Sequence, residues 1–213
     1  MGSLAIPSDP QEQGSAEDPP SATGRGSHKP RLPKGSLKLA AVLDLHPEVE
    51  IRDQVCADLG CNVGGFTREL LRRGARLVHA VDSGYGVLEW DLRQDPRVDT
   101  RERKNALHLD LSDLDIVVID TAWTLQEIIL PRARSYLRPG GAIFSLLKPD
   151  YELPRGRPGR PRRVLDETES QSVARAVHAR CETVLGCPLR LYPSPCRGGS
   201  GAREWWLVLI SRE

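Results

Sequence analysis

The sequence predicts an α/β domain: a mostly parallel sheet with helices on both faces and an antiparallel edge strand. Three observations predict it. Short runs rich in Val, Ile and Leu alternate with longer segments of helical periodicity. Those runs are apolar on consecutive residues, as strands covered on both faces are. Two strand-like runs late in the chain suit an antiparallel edge.

The elements follow in order. Residues 1–34 are rich in Pro, Gly, Ser, Gln and Glu, and burial would not offset the entropy of ordering them. A disordered tail is expected there, with the folded domain over 35–213. Ser36 is placed to cap a short helix carrying Leu37, Leu39, Ala40, Val42, Leu43 and Leu45. Val55–Leu59 reads as a buried strand, Phe66–Arg73 as a helix closed by Gly74, and Leu77–Val81 as the next strand. Tyr85–Arg93 reads as a helix and Arg97–Arg101 as a short strand. Ile116–Asp120 is the clearest buried strand in the chain. A helix over 124–137 follows, bent at Pro131, which lacks a backbone donor. Pro139-Gly140-Gly141 makes a turn into a strand over Ala142–Leu147. Glu167–Leu185 is a longer helix, and Leu189–Tyr192 and Trp205–Ile210 are the closing strands.

Composition narrows the function classes. The chain has 213 residues, which suits one domain plus a tail. Thirty basic side chains face 29 acidic ones, so a bulk polycation that coats nucleic acid is excluded and any such contact needs a local patch. The basic excess lies in residues 151–213, with 11 basic against seven acidic side chains. No apolar run reaches the roughly 18 residues of a membrane span, and the N-terminus does not read as a secretory signal. The five cysteines form no CxxC pair, which suits reduced thiols in a cytoplasmic protein and no zinc site. No Ser-His-Asp arrangement and no metalloprotease motif occurs, and none of the five histidines is given a catalytic role.

The segment Asp58-Leu59-Gly60-Cys61-Asn62-Val63-Gly64-Gly65-Phe66-Thr67 joins the first core strand to its helix. Its glycines allow a tight turn and close approach to a ligand. The spacing is G-x-x-x-G-G, not the G-x-G-x-x-G of dinucleotide folds. Asp82 ends the second strand, where a carboxylate can accept hydrogen bonds from both ribose hydroxyls of a nucleoside. Four more charged residues fall at element ends: Lys38, Asp120, Lys148 and Glu204. Ligands of open α/β sheets bind beyond the carboxyl ends of the strands, so Asp120 and Lys148 point at a pocket. Only five of the 30 basic residues are lysines, and two of them, Lys38 and Lys148, belong to this set.

Eight segments occur in sequence: GSLKLA at 35–40, ADLGCNVGGFT at 57–67, AVDSGYG at 80–86, LRQDPRV at 92–98, ERKNA at 102–106, VVID at 117–120, PGG at 139–141 and LLKPDYE at 146–152. In this combination the chain resembles the FtsJ-like RNA ribose 2′-O-methyltransferases, most closely their TlyA (haemolysin A-like) branch, over roughly residues 35–211. The resemblance implies a Rossmann-like class I fold, S-adenosylmethionine (SAM) as methyl donor, and RNA, ribosomal RNA or a ribosomal subunit first, as acceptor. It places the family's Lys-Asp-Lys-Glu catalytic set on Lys38, Asp120, Lys148 and Glu204. It places cofactor contacts on Asp58, Gly60, Asn62, Gly64, Gly65, Phe66, Asp82, Asn105 and Asp120. Asp58 either holds the loop or reaches the methionine amine through water. Asn105 sits where such folds contact adenine, and Asp120 also falls beside the sulfonium. Lys148 is assigned to deprotonating or polarising the 2′-hydroxyl, a weak acid. A lysine acts as base only if its ammonium is destabilised, and Lys38 nearby could supply the second cation.

The chain departs from that branch in three places. TlyA-type proteins carry an RNA-binding S4 domain before the catalytic domain, whereas the tail precedes it here, so that domain's contribution to RNA specificity is either absent or supplied by a partner protein. Trp123 follows Asp120 and either stacks a flipped base or packs in the next helix. The stretch 154–163 carries Arg155, Arg157, Arg160, Arg162 and Arg163, a footprint for phosphate contact or a solvated charge run. The segment Arg197–Arg203 either closes over substrate or simply connects two strands. A small-molecule O-methyltransferase and a non-catalytic SAM- or RNA-binding paralogue are the rival functions.

Overall fold

The computed structural model describes residues 33–122, 124–153 and 164–211. Its elements run α1 (Lys34–Asp44), β1 (Val55–Leu59), α2 (Gly65–Arg72), β2 (Leu77–Val81), α3 (Trp90–Gln94), β3 (Val98–Arg101), β4 (Leu114–Ile119), α4 (Gln126–Arg134), β5 (Leu137–Leu147), α5 (Pro149–Glu152), α6 (Glu167–Leu185), β6 (Arg190–Pro193) and β7 (Trp205–Ile210). The strands form one sheet in the order β3-β2-β1-β4-β5-β7-β6. All pairings are parallel except those of β7, which runs antiparallel to β5 and β6. The architecture is the expected Rossmann-like α/β sheet with an antiparallel edge.

Both faces of the sheet are buried, and side chains alternate between them. On one face Ile116, Val118, Phe144, Leu146, Trp206 and Val208 pack against Leu39 of α1 and Phe66 and Leu70 of α2. On the other, Val117, Ile119, Ile143, Leu147, Leu207 and Leu209 pack against Ile129 of α4 and Val177 of α6. This two-sided burial is why the central strands carry apolar residues on both of their faces.

Strand register positions the site. Leu59 pairs with Val81 and with Ile119, so Gly60, Asp82 and Asp120 emerge together beyond one edge of the sheet. Leu147 pairs with Trp205, so the antiparallel β7 begins at that same edge, with Glu204 next to Lys148.

Several elements differ from the sequence expectation, each for a local reason. Ser36 is not a cap: α1 starts at Lys34 after Pro33, and the buried Ser36 hydroxyl donates to the Gly65 carbonyl at 2.7 Å. The helix expected over Tyr85–Arg93 is confined to Trp90–Gln94. The amides of Gly86, Val87 and Leu88 donate to the Glu102 carboxylate (2.7, 2.9 and 3.2 Å) in place of helical carbonyls. Burial pushes Glu102 up, but Arg93 and those three amides outweigh it and hold the carboxyl down at about 2. The helix around Pro131 is shorter than expected, ending at Arg134. Pro139-Gly140-Gly141 is an irregularity inside β5, where the register against β4 jumps from Leu114↔Leu137 to Ile116↔Ala142. Helix α6 has the expected limits, fixed by an Asp166/Glu169 capping box and by Gly186 at φ +65°.

Candidate active site

The first half of the site is made from strand ends and turns. Gly60 and Cys61 donate their amides to the Val81 carbonyl (2.8 and 3.0 Å), and the Asp120 amide donates to Leu59 (2.9 Å). Gly60 has φ +89°, and a Cβ there would lie 2.7 Å from the Asp120 carbonyl oxygen, so only glycine lets the β1–α2 turn rest on the end of β4. Asp82 organises this turn and its own: its carboxylate accepts from the amides of Asn62 (2.9 Å) and Gly84 (2.8 Å). A cavity of about 330 Å³ opens above, lined by Gly60, Asn62, Asp82, Asn105, Asp120 and Lys148. Ser83, Lys104 and Thr121 also line it. Sequence reasoning missed these three; Lys104 carried a signal, as one of the five lysines and the neighbour of Asn105.

Four residues proposed for cofactor contact do not line this cavity. Gly64, at φ +96°, begins α2 against Leu88 and Leu92. Gly65 meets Gly35, where a Cβ on Gly65 would come within 3.0 Å of the Gly35 Cα, so the pair lets α1 approach α2. The Phe66 ring is buried 5.6 Å from the Trp206 ring. Asp58 is fully buried and holds the loop: one oxygen accepts from the Thr67 amide (2.8 Å) and hydroxyl (2.7 Å). Its Oδ1 has no hydrogen-bond partner among the described residues. Burial pushes this carboxyl from 3.8 up to about 7; the Thr67 bonds oppose the shift and the charges of Asp120 and Asp82 add to it.

The second half is made from side chains, and here the four charged residues come together. Lys38 projects from α1 and Glu204 from the approach to β7, and they form an ion pair at 2.5 Å with side chains only 10% and 4% exposed. Lys148, at the end of β5, is ion-paired with Asp120 at the end of β4. Burial raises the Glu204 carboxyl above its ordinary range; Lys38 and Lys148 pull it down, and Asp120 pushes it up. Glu204 therefore senses all three other members of the set. Lys148 is common to the first cavity and to a second of about 220 Å³, lined also by Tyr151, Gly198, Gly199, Ser200 and Glu204.

Trp123 and the five arginines between 155 and 163 lie outside the described residues, as does the tail through residue 32. Among the described residues no cluster of His, Cys, Asp or Glu could hold a metal ion, and no helix is long and apolar enough to cross a membrane. A pocket with carboxylates at both ends, one beside a lysine, can hold a nucleoside bearing a positive group and can polarise a hydroxyl brought next to Lys148.

Comparison with known proteins agrees with this chemistry. Residues 32–210 match the FtsJ-like methyltransferase family. The chain is 33% identical to the 16S/23S rRNA (cytidine-2′-O)-methyltransferase TlyA of Mycobacterium tuberculosis, over 86% of this chain and 69% of that protein. It is also 33% identical to YqxC of Bacillus subtilis, named as a candidate rRNA methyltransferase, over 88% of this chain and 68% of that protein. The crystal structure of a candidate hemolysin from Lactococcus lactis superposes with a TM-score of 0.74 at 31% identity, covering 84% of this chain and 88% of that one.

Proposed function

The chain belongs to the FtsJ-like methyltransferase family, and we infer that it transfers a methyl group from SAM to a ribose 2′-hydroxyl of RNA, with ribosomal RNA in cytoplasmic subunits as the substrate. The observation that carries the inference is the meeting of Lys38, Asp120, Lys148 and Glu204 beside a nucleoside-sized cavity that Asp120 and Lys148 line.

The residues present fit the cofactor. Asp82 stands at one end of the cavity, each carboxylate oxygen keeping a lone pair free to accept from a ribose hydroxyl beyond its backbone amide. Asn105 lines the same cavity and would meet the base, and Asp120 at the other end would sit against the sulfonium. Bound there, SAM supplies an electrophilic methyl group for in-line displacement.

The chain's own residues then act on the acceptor. Lys148 polarises the 2′-hydroxyl as an ammonium oriented and charge-balanced by Asp120, or takes the hydroxyl proton as the neutral amine left when its own proton passes to Asp120. Lys38 and Glu204 hold a second, almost water-free pair beside it, which fixes local charge without moving parts during the reaction. The cationic neighbour anticipated for Lys148 is thus already matched by a carboxylate, and charge around the hydroxyl is set by two ion pairs. The five arginines at 155–163 are assigned to phosphate contact on the strength of their charge and their closeness in sequence to Lys148.

The test is transfer of labelled methyl from SAM to unmodified ribosomal subunits and to free RNA, followed by digestion to nucleosides. A 2′-O-methylnucleoside made by the wild type and not by Lys148→Ala is expected. Unlabelled RNA from a wild type that still binds SAM would overturn the RNA assignment and favour a small-molecule hydroxyl.

A further inference from the structure

The turn Arg197–Arg203 before β7 is more firmly built than a plain connection needs. Gly198 donates its amide to Ala202 (2.9 Å) and accepts from Gly201 (3.0 Å). Arg197 and Arg203 both reach Glu167 on the first turn of α6, each at 3.0 Å. Lys34, one helical turn before Lys38, donates to the Gly198 carbonyl at 3.4 Å. The turn is therefore tied to the helix that supplies Lys38 and leads into the strand that follows Glu204.

Two of its glycines bear on the chemistry differently. A Cβ on the buried Gly198 would lie 2.8 Å from Glu204 Oε1, whose other oxygen is engaged by Lys38 at 2.5 Å. A side chain at 198 is thus admitted only by moving the Glu204 carboxylate. Gly199 lines the second cavity, and a Cβ there would meet nothing within 4 Å. That cavity shares Lys148 with the cofactor cavity and has Tyr151 on its wall, the ring centre 6.0 Å from the Lys148 amine. Lys148 therefore stands at the boundary between two spaces, only one of which is needed for the methyl donor.

We propose that the Arg197–Arg203 turn is the acceptor-side wall of the active site: it seats the acceptor ribose in the second cavity, and Gly198 is a positioning residue that keeps Glu204 within reach of Lys38. The proposal rests on the RNA 2′-hydroxyl reading and adds to it which part of the chain receives the nucleotide.

A double-mutant cycle tests the role of Gly198. Gly198→Ala is expected to lower kcat about tenfold or more with SAM affinity and thermal midpoint kept. Added to Glu204→Gln it is expected to cost nothing further, because both changes remove the same pairing. Additive losses would overturn the positioning role, since a general packing defect does not depend on the carboxylate. The seat is tested by Gly199→Ala and Gly199→Leu. The larger side chain is expected to reduce kcat/KM for RNA about tenfold or more, the smaller one less, with SAM binding unchanged for both. Activity independent of size at 199 would overturn the seat. Wild-type product in the same assay separates these outcomes from failure of the RNA reading, in which case no 2′-O-methylnucleoside would form at all and the seat would fall with it.

Discussion

At the end of the cleft bounded by Gly60, Asn62 and Asp82, the main chain does the shaping. Amides of one turn bond to carbonyls and a carboxylate of the next, and the residues involved lie at the ends of neighbouring parallel strands. At the end bounded by Lys38, Lys148 and Glu204, four elements each contribute one charged side chain, and ion pairs hold them together. The contrast matches the two tasks proposed for the cleft. A nucleoside is held by fixed hydrogen-bonding geometry that backbone supplies at little entropic cost. A hydroxyl is activated by charge in a site with little water, which only converging side chains can supply.

If that division is right, damage at the two ends should appear in different kinetic constants. Lys148→Ala is expected to have the largest effect, a loss of about 10²–10⁴-fold in methyl transfer with SAM affinity nearly unchanged. Single-turnover kinetics alongside calorimetric binding of SAM would check it, and a matching loss in SAM affinity would erase the distinction. Asp82→Ala is expected to do the reverse. It removes the acceptor for two backbone amides and the one proposed for the ribose, and should weaken SAM binding by about 10–100-fold while kcat at saturating SAM changes little. A fall in kcat at saturation would show that the turn also positions the reacting methyl.

The same contrast governs how much was legible in the sequence. The strands and their mostly parallel arrangement follow from apolar runs alternating with helices, and Gly60, Asn62, Asp82 and Asp120 could be placed because they directly follow strands or sit in the turn after one. Gly64, Gly65 and Phe66 belong to the same glycine-rich segment, but their surroundings are set by Leu88, Leu92, Gly35 and Trp206, which no local pattern announces. Tyr85–Glu89 shows helical spacing, yet the half-buried Glu102 captures its amides, a tertiary bond that overrides propensity. The Lys38–Glu204 pair joins opposite ends of the domain, and only the family resemblance linked them in advance. Gly198 and Gly199 stood in a segment with two open readings, and the Glu204 carboxylate beside Gly198 is a contact that no local pattern of that segment signals.

A smaller, pH-dependent effect would sharpen the picture of the acceptor end. Burial raises the Glu204 carboxyl above its ordinary range despite Lys38. Below that raised pKa the carboxyl is neutral and Lys38 loses its partner. The acid limb of kcat/KM for RNA is therefore expected above the usual carboxylate range, and Glu204→Gln should remove that inflection while lowering the plateau. An acid limb left in place by the substitution would assign the titration to another group.

A last effect concerns stability and comes from the backbone-built end. Asp58 titrates near 7 in the fold against an ordinary value of 3.8, because burial disfavours its charge more than the two Thr67 bonds favour it. The folded state thus binds this proton more tightly than the unfolded state. Its stabilising contribution is complete below the unfolded value and is lost as pH rises through about 7. Between those limits the slope is at most about 1.4 kcal/mol per pH unit. Asp58→Asn keeps one oxygen for both Thr67 donors and cannot ionise. The thermal midpoint of the wild type should therefore fall relative to that of Asp58→Asn between pH 5 and pH 7, and the difference should level off above about pH 8. Parallel curves across that range would mean that Asp58 is ionised throughout. The anchor of α2 would then be a buried carboxylate, and the electrostatic cost of the cofactor end would have to be met by a group other than Thr67.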